Sequence, residues 1–287
     1  MPMDRTARGI LISFASYLAF SFSDASVKLI QGGLPPYESA FFGSLFGLAV
    51  LPFVRRRGEP WTDIFATSNV WLWLARFLIS PASVIGSVVA FTHLPMAEAM
   101  ALMFLLPVHS IILARLLLGE RSGPARWAAV LVGLLGVLVA LRPGLRELSI
   151  GHLGALVTGI TGALKVMAFR AGRGRENSLA LFGACLLGGI VVCGLLALPE
   201  LVAPSPAQWA KLASYGLLAA VGNVLTMRAT RLTPAAWLGP TQYSQILWAL
   251  LFGYVLFGDT ADGPMLLGLV LIAGSGLLTL LPRRTGA

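Results

Sequence analysis

The stretch that decides the fold reads HLPMA at residues 93–97 and is followed by LLGE at residues 117–120. Both blocks recur 139 residues later, as LTPAA at 232–236 and as LFGD at 256–259. One offset shared by two pairs of blocks indicates an internal repeat, in which the second half of the chain echoes the first. The sequence therefore predicts two copies of one structural unit.

The composition predicts that this unit lies in a membrane. Of the 287 residues, 57% are hydrophobic and only 11% are charged, and the mean hydropathy is +0.82. A soluble domain carries about 25% charged residues, so a water-soluble fold of this size is excluded. A transmembrane β-barrel is excluded because its strands would alternate apolar and polar residues. An all-α membrane protein with several spans remains.

Ten apolar runs follow one another, each close to the roughly 20 residues that one spanning helix needs. They are Gly9–Ile30, Tyr37–Val54, Val70–Phe91, Met96–Leu117, Ala125–Leu141, Gly151–Phe169, Ser178–Leu198, Ala210–Ala229, Ala235–Phe257 and Pro264–Leu281. We predict ten transmembrane helices, five in residues 1–147 and five in residues 148–287. Since five is odd, the second unit enters the membrane from the opposite side, which gives two inverted five-helix repeats. Secondary transporters use such repeats around a site near the midplane.

The charge distribution predicts the orientation. The net charge is +9 and the isoelectric point is about 10.4. With a cytoplasmic N-terminus, fifteen lysine and arginine residues fall on the inner side and four on the outer side. This bias follows the positive-inside rule, so it predicts two cytoplasmic termini and requires no nucleic-acid partner. Cys185 and Cys193 lie eight residues apart on one predicted helix, about 12 Å by helical rise, and are predicted to stay free.

Four motifs stand out in the first half of the chain, namely Pro95–Ala99, Leu105–Val108, Leu118–Arg121 and the glycine-rich Gly133–Val137. With them the chain resembles the drug/metabolite transporter superfamily, in its EamA-type ten-helix branch. The second copy departs from this pattern, with Asp259 as the acid after Gly258 and polar residues at 242–245. Within the superfamily the chain is most similar to the YddG-type exporters of aromatic amino acids. The resemblance implies gradient-driven export across the bacterial inner membrane, through a cavity formed by helices 1, 3, 4, 6, 8 and 9.

Charged side chains at depth are the first candidates for a substrate site, because each costs about 2.5–3.5 kcal/mol at the centre of a helix. Asp24 either pairs with Lys28 one turn later or receives a substrate ammonium group. Lys165 either snorkels to the inner interface or receives a substrate carboxylate. Arg76 lies nearer the inner surface and is expected to snorkel. His109 lies near the midplane, so it either bonds a neighbouring helix or titrates in the cavity.

Uncharged side chains complete the predicted site. Gln242 and Gln245 are three residues apart on the ninth predicted helix, a spacing that puts them on one face. Hydrogen bonding between helices is the alternative use of such amides. Aromatic and thioether side chains suit an apolar cargo side chain. The remaining candidates for the central cavity are Ser80, Met103, Phe104, Asn223, Tyr243 and Trp248.

The favoured function is a secondary transporter that exports small metabolites by alternating access, with aromatic amino acids as the favoured cargo. Another metabolite or a drug-like cation is the alternative cargo. An intramembrane enzyme is disfavoured because the sequence holds neither H-E-x-x-H nor G-x-S-x-G, and a channel lacks a ring of like charges. We expect no cofactor and no metal. The expected partners are the lipid bilayer and a small-molecule substrate, while coupling to protons and the choice between monomer and homodimer stay open.

Overall fold

The computed structural model describes residues 5–30, 33–56, 58–119, 123–142, 148–171, 177–233 and 239–279. Helices make up all the regular secondary structure in these ranges, which contain no strand. Six helices within them are long and apolar enough to cross a membrane by length and composition, and two shorter helices are also apolar. The predicted all-α class is confirmed. Outside the described residues lie both termini, Glu120, the predicted boundary at residue 147 and residues 234–236 of the second repeat block.

The described residues form ten helical spans, numbered α1 to α10. Their bounds are Arg5–Lys28 (α1), Pro36–Gly47 continued by Leu48–Val50 and Leu51–Val54 (α2), Val70–His93 (α3), Met96–Met103 with Leu106–Leu118 (α4), Pro124–Leu141 (α5), Ile150–Ala171 (α6), Ser178–Ala197 (α7), Pro206–Leu232 (α8), Gly239–Tyr243 with Ser244–Phe257 (α9) and Gly263–Thr279 (α10). In α2 the middle segment is a 3₁₀ turn, as is the first segment of α9. Two further 3₁₀ turns, Trp61–Phe65 and Leu198–Glu200, lie in or beside loops.

The start of α8 shows why composition alone misplaces helix ends. The apolar run begins at Ala210, but the helix begins at Pro206. Ser205 forms a capping box there, in which its hydroxyl accepts from Gln208 N at 3.4 Å and its own backbone N donates to Gln208 Oε1 at 2.8 Å. Satisfying these terminal amides extends the helix into polar sequence.

Both repeats are interrupted at the same place. In α4 the first segment ends at Met103 and the second begins at Leu106, while in α9 the 3₁₀ turn gives way to α-helix after Tyr243. Phe104 and Tyr243, which match at the repeat offset, touch across these breaks with ring centroids 5.6 Å apart. Pro107, which falls within the predicted span Met96–Leu117, lies in the first turn of the second α4 segment, where a missing N–H costs no helical bond. Discontinuous helices of this kind surround transporter sites.

Helix packing has the symmetry that inverted repeats require. When each helix is exchanged for the one five places along, the main contacts map onto one another: α1 packs on α8 as α6 packs on α3, and α2 packs on α8 as α7 packs on α3. The pairs α2–α7, α4–α9 and α5–α10 map onto themselves. Such a pattern is what two copies related by an approximate twofold axis produce.

Contacts at both ends show that α1 and α8 run antiparallel. A Cβ atom added to Gly9, near the start of α1, would lie 1.9 Å from Oγ1 of Thr233, which follows α8. At the other end, Lys211 Nζ donates to Leu29 O at 2.7 Å. In the other repeat, the counterpart of α8 is α3 and the counterpart of α1 is α6. The opposite directions of α1 and α8 are those that an inverted repeat requires.

Close backbone contact joins the two glycine-rich helices, α5 and α10. A Cβ atom on Gly136 would lie 2.9 Å from Gly268 O, and one on Gly268 would lie 2.5 Å from Gly136 O. Since backbone atoms cannot move aside as a flexible side chain does, these two positions favour glycine. The glycines therefore serve packing inside this chain. Cys185 and Cys193 are both free thiols, as predicted.

Candidate functional site

A cavity of about 440 Å³, here the first cavity, lies between α1, α3, α4, α6 and α9. Its wall combines two charged side chains with polar and aromatic ones. The lining residues are Tyr17, Phe20, Asp24, Ser83, Ser87, Phe91, Met100, Met103, Phe104, Leu106, Thr158, Gly162, Lys165, Gln242 and Gln245. The cavity therefore brings together six of the predicted site residues, from four different helices.

Asp24 is the negative charge in this wall, and its partner is neutral. Its Oδ2 accepts a hydrogen bond from Gln245 Nε2 at 2.8 Å. The alternative ion pair with Lys28 is not formed, because the Lys28 ammonium group lies 2.6 Å from Asp259 Oδ2. Among the described residues, the Asp24 carboxyl group therefore has no cationic partner.

Lys165 is the positive charge in the same wall. Its ammonium group donates to Ser83 Oγ at 2.9 Å, so the side chain points across to α3 and does not snorkel toward the end of α6. Among the described residues it forms no ion pair. One acidic and one basic side chain, Asp24 and Lys165, therefore line the same cavity without an ion pair between them.

A second cavity of about 380 Å³ adjoins the first and shares Lys165 with it. It lies between α2, α3, α6, α7 and α8. Its lining residues are Gly43, Ser44, Gly47, Val50, Arg76, Ser80, Val84, Lys165, Phe182, Cys185, Leu186, Tyr215, Ala219, Ala220 and Asn223. Two predicted site residues, Ser80 and Asn223, line this cavity instead of the first, and the amide of Asn223 donates to Ala219 O one turn earlier at 2.8 Å.

Three predicted residues line neither of these two cavities. The ring of His109 lies against α6, where a Cβ atom on Gly159 would be 3.2 Å from its Cε1 and Nδ1 atoms. Tyr243 extends toward α10, since its hydroxyl occupies the space that a side chain at Gly276 would need. Trp248 stacks on Phe252 with centroids 6.2 Å apart, and its indole Nε1 is buried without a hydrogen-bond partner among the described residues.

Several lining residues escaped sequence reasoning. Tyr17, Phe20 and Phe91 look like ordinary apolar residues of a spanning helix. Ser83 and Ser87 had a detectable signal, because with Ser80 they mark one polar face of α3 at spacings of three and four residues. Their role as the wall opposite Lys165, 82 residues away, depends on packing that no local spacing encodes.

The end of the bundle at which α1 terminates, here the Lys28 end, holds charges of a different kind. Lys28 Nζ lies 2.6 Å from Asp259 Oδ2 and donates to Leu94 O at 3.2 Å. The same Asp259 oxygen accepts from Met96 N at 3.0 Å, at the start of α4. A carboxylate at a helix N-terminus is favourable, so one ion pair ties together α1, α4 and α9.

Two more pairs lie at the Lys28 end. His152 Nε2 is 3.0 Å from Glu98 Oε1, which joins α6 to α4, and both side chains are buried. Arg142, after α5, pairs with Asp262, before α10. These contacts link helices at the Lys28 end, where Lys28–Asp259 and Arg142–Asp262 are pairs of opposite charge.

Many secondary transporters are built from inverted repeats around a central site. A model of the EamA-like transporter family matches residues 7–142 and again residues 149–281. The chain belongs to the EamA-like transporter family. The resemblance to EamA-type transporters that the motifs indicated is confirmed, and so is a membrane location with several spans.

Relatives of this EamA-like transporter cover nearly all of its length. It is 25% identical to the pseudopaline exporter CntI of Pseudomonas aeruginosa, over 95% of either chain. It is 28% identical to a riboflavin transporter of Rhizobium johnstonii, over 95% of this chain and 91% of the relative. It is 23% identical to an S-adenosylmethionine uptake transporter of Rickettsia prowazekii, over 92% and 89%.

These names differ in cargo and in direction, since one protein is an exporter and another an uptake transporter. The family therefore establishes a membrane transporter of small metabolites, and the cargo must be inferred from the site. A solved crystal structure superimposes with a TM-score of 0.67 over 95% of this chain and 96% of the other, at 20% identity. That similarity supports the fold alone.

Proposed function

We propose that this EamA-like transporter exports small zwitterionic metabolites, with aromatic amino acids as the favoured cargo. The observation that carries the proposal is that one acidic and one basic side chain, Asp24 and Lys165, line one cavity with neutral hydrogen-bond partners. An amino acid brings one ammonium and one carboxylate group. Its binding would give each of the two buried groups an oppositely charged partner. The pairing would offset the free-energy cost of burying each charge alone.

The apolar part of the wall supports an aromatic side chain. Tyr17, Phe20, Phe91 and Phe104 supply ring faces and edges, which pack favourably with another ring. Met100 and Met103 add flexible thioether contacts that adapt to ligand shape and favour aromatic neighbours. A cavity of about 440 Å³ lies within the range of small-molecule sites.

The proposed route runs between the two ends of the bundle by alternating access. At the Lys28 end, two ion pairs and the His152–Glu98 contact hold α1, α4, α5, α6, α9 and α10 together. The second cavity extends the first toward α2, α7 and the early part of α3. Release of the cargo would then require the repeats to rock about their shared axis, so that the Lys28 end opens.

The proposed location is the bacterial inner membrane, with both termini in the cytoplasm and the Lys28 end facing outward. The excess of lysine and arginine in the loops opposite the Lys28 end supports this orientation. Labelling of single cysteines in intact cells tests it. A cysteine replacing exposed Glu200 should react with an impermeant maleimide from outside, and one replacing Arg56 should not; the reverse pattern would overturn the orientation.

Counterflow in proteoliposomes tests the cargo. Vesicles loaded with unlabelled L-phenylalanine should accumulate radiolabelled L-phenylalanine, and L-phenylalanine should compete at least tenfold better than phenethylamine or 3-phenylpropanoate, each of which lacks one charge. No counterflow with any aromatic amino acid would contradict the proposal. Equal competition by phenethylamine would favour the alternative, an exporter of organic cations that uses Asp24 alone.

A further inference from the structure

The second cavity carries positive charge that nothing in its described lining balances. Arg76 and Lys165 both line it, while no aspartate or glutamate does. Its other polar lining groups are neutral, among them Ser80, Cys185 and Asn223. A cavity with two cationic side chains and no carboxylate is electrostatically suited to an anion.

Arg76 itself is poorly satisfied by the protein. Its Nη2 donates to Lys165 O at a long 3.4 Å, and its Nη1 lies 3.9 Å from Cys185 Sγ, a weak acceptor. Its Nε is buried and has no hydrogen-bond partner among the described residues. The expectation that Arg76 snorkels to the interface is therefore wrong, because the guanidinium group turns toward α6 and α7 within the bundle.

A guanidinium group has five donors in a planar fork, which suits the two oxygens of a carboxylate. Leaving such a group partly buried without an anion is unfavourable, whereas a bidentate carboxylate would satisfy it. Arg76 lies seven residues before Ser83, the hydrogen-bond partner of Lys165, which is about 10 Å along α3. A cargo that meets Lys165 with one carboxylate can thus reach Arg76 with another anionic group on its far end.

We propose that the second cavity is an anion subsite, and that the preferred cargo is an amino acid carrying an additional carboxylate that Arg76 binds. This inference rests on the proposed function, since it assumes that Asp24 and Lys165 hold the ammonium and the first carboxylate. It narrows the cargo from zwitterions in general to amino acids with net negative charge.

Binding of two matched ligands to the purified full chain in detergent tests the subsite by isothermal titration. The probes are 4-carboxy-L-phenylalanine and 4-carbamoyl-L-phenylalanine, which share one shape and differ in one negative charge. The chain should bind the carboxy compound about tenfold more tightly, the difference expected for one charge-assisted contact. In the Arg76→Gln variant this preference should disappear, so that the two compounds bind about equally. The control Lys211→Gln removes one positive charge outside both cavities and should keep the preference.

Equal binding of the two compounds by the unaltered chain would overturn the subsite, and this result does not depend on whether any variant folds. A preference that persists in folded Arg76→Gln would also overturn it, because another group would then bind the carboxylate. If L-phenylalanine shows counterflow but the two probes bind equally, the subsite fails and the proposed function stands. If neither probe nor L-phenylalanine binds, both fail together.

Discussion

Buried charges at the Lys28 end and in the cavities differ in one respect, which is whether the protein itself supplies the opposite charge. At the Lys28 end, Lys28 meets Asp259 directly, and the matched atoms lie 2.6 Å apart. In the cavities, Asp24 is held by an amide and Lys165 by a hydroxyl. Both arrangements satisfy hydrogen bonds, but only the first neutralises charge.

We infer that the charges at the Lys28 end stabilise the fold, whereas the charges in the cavities bind a ligand. A matched pair does not need a ligand to balance its charges, so its loss should affect stability more than transport. An unmatched buried charge raises the free energy of the protein without cargo. Binding of an oppositely charged group on the cargo lowers that free energy. Its loss should therefore affect transport and leave stability nearly unchanged.

The largest expected effect is on stability and comes from Lys28→Met. Removing one partner of a buried pair leaves the other charge uncompensated, at a cost of about 3–5 kcal/mol. The midpoint of thermal unfolding in detergent should fall by many degrees, and the double variant Lys28→Met, Asp259→Leu should recover part of the loss. Recovery cannot be complete, because Asp259 also accepts from Met96 N. Lys211→Met, at a lysine outside the pair, is the control. An equal fall of its unfolding midpoint would show that pairing with Asp259 does not explain the effect of Lys28→Met.

The next effect is on transport and comes from Lys165→Met and Asp24→Asn. Each should reduce counterflow of L-phenylalanine about 100-fold, since truncating one member of a charge pair with the cargo costs about 2–5 kcal/mol. The unfolding midpoint should stay within a few degrees of the unaltered chain or rise. A large fall in the midpoint without loss of transport per folded molecule would assign these charges to the fold instead.

A smaller effect separates the group that positions Lys165 from its neighbours. Ser83→Ala removes the hydroxyl that holds the ammonium group and should reduce counterflow about fivefold, roughly the value of one hydrogen bond. Ser87→Ala is the matched control on the same face of α3, because the Ser87 hydroxyl bonds Val84 O in its own helix at 2.8 Å. Equal losses in the two variants would show that this wall requires polarity but not positioning of Lys165.

The smallest effect concerns a half-buried charge, Glu59, in the loop between α2 and α3. Hydrogen bonds from Arg56 N, at 2.8 Å, and from the Asn177 amide hold the pKa of Glu59 below its usual value. A lowered folded-state pKa adds stability above the unfolded pKa of about 4.3 and loses it as the pH falls through the folded value. Glu59→Gln should lower the unfolding midpoint by about 1 °C at neutral pH, and this difference should shrink as the pH falls below the unfolded pKa. Asp63→Asn in the same loop is the control, and a loss at both pH values would contradict the electrostatic cause.

The sequence was informative about the repeat and about part of the first cavity. The offset of 139 residues, the alternation of basic loops and the cost of charge at depth led to the inverted repeat and to Asp24, Lys165 and Gln245. It failed where two distant elements decide. Lys28 is one turn from Asp24 but pairs with an acid 231 residues away. Arg76 is near a helix end, which suggests snorkelling, yet the packing of α3 against α6 and α7 encloses it.

Asp24 and Lys165 are proposed to bind the ammonium and the carboxylate group of one zwitterion. The most direct test measures, in one variant of each residue, how well two analogues that each lack one charge compete. Competition against labelled L-phenylalanine in proteoliposomes compares phenethylamine with 3-phenylpropanoate. Lys165→Met should lose the advantage of L-phenylalanine over phenethylamine and keep that over 3-phenylpropanoate, while Asp24→Asn should show the opposite pattern. Loss of both advantages in both variants, or of neither, would contradict the account.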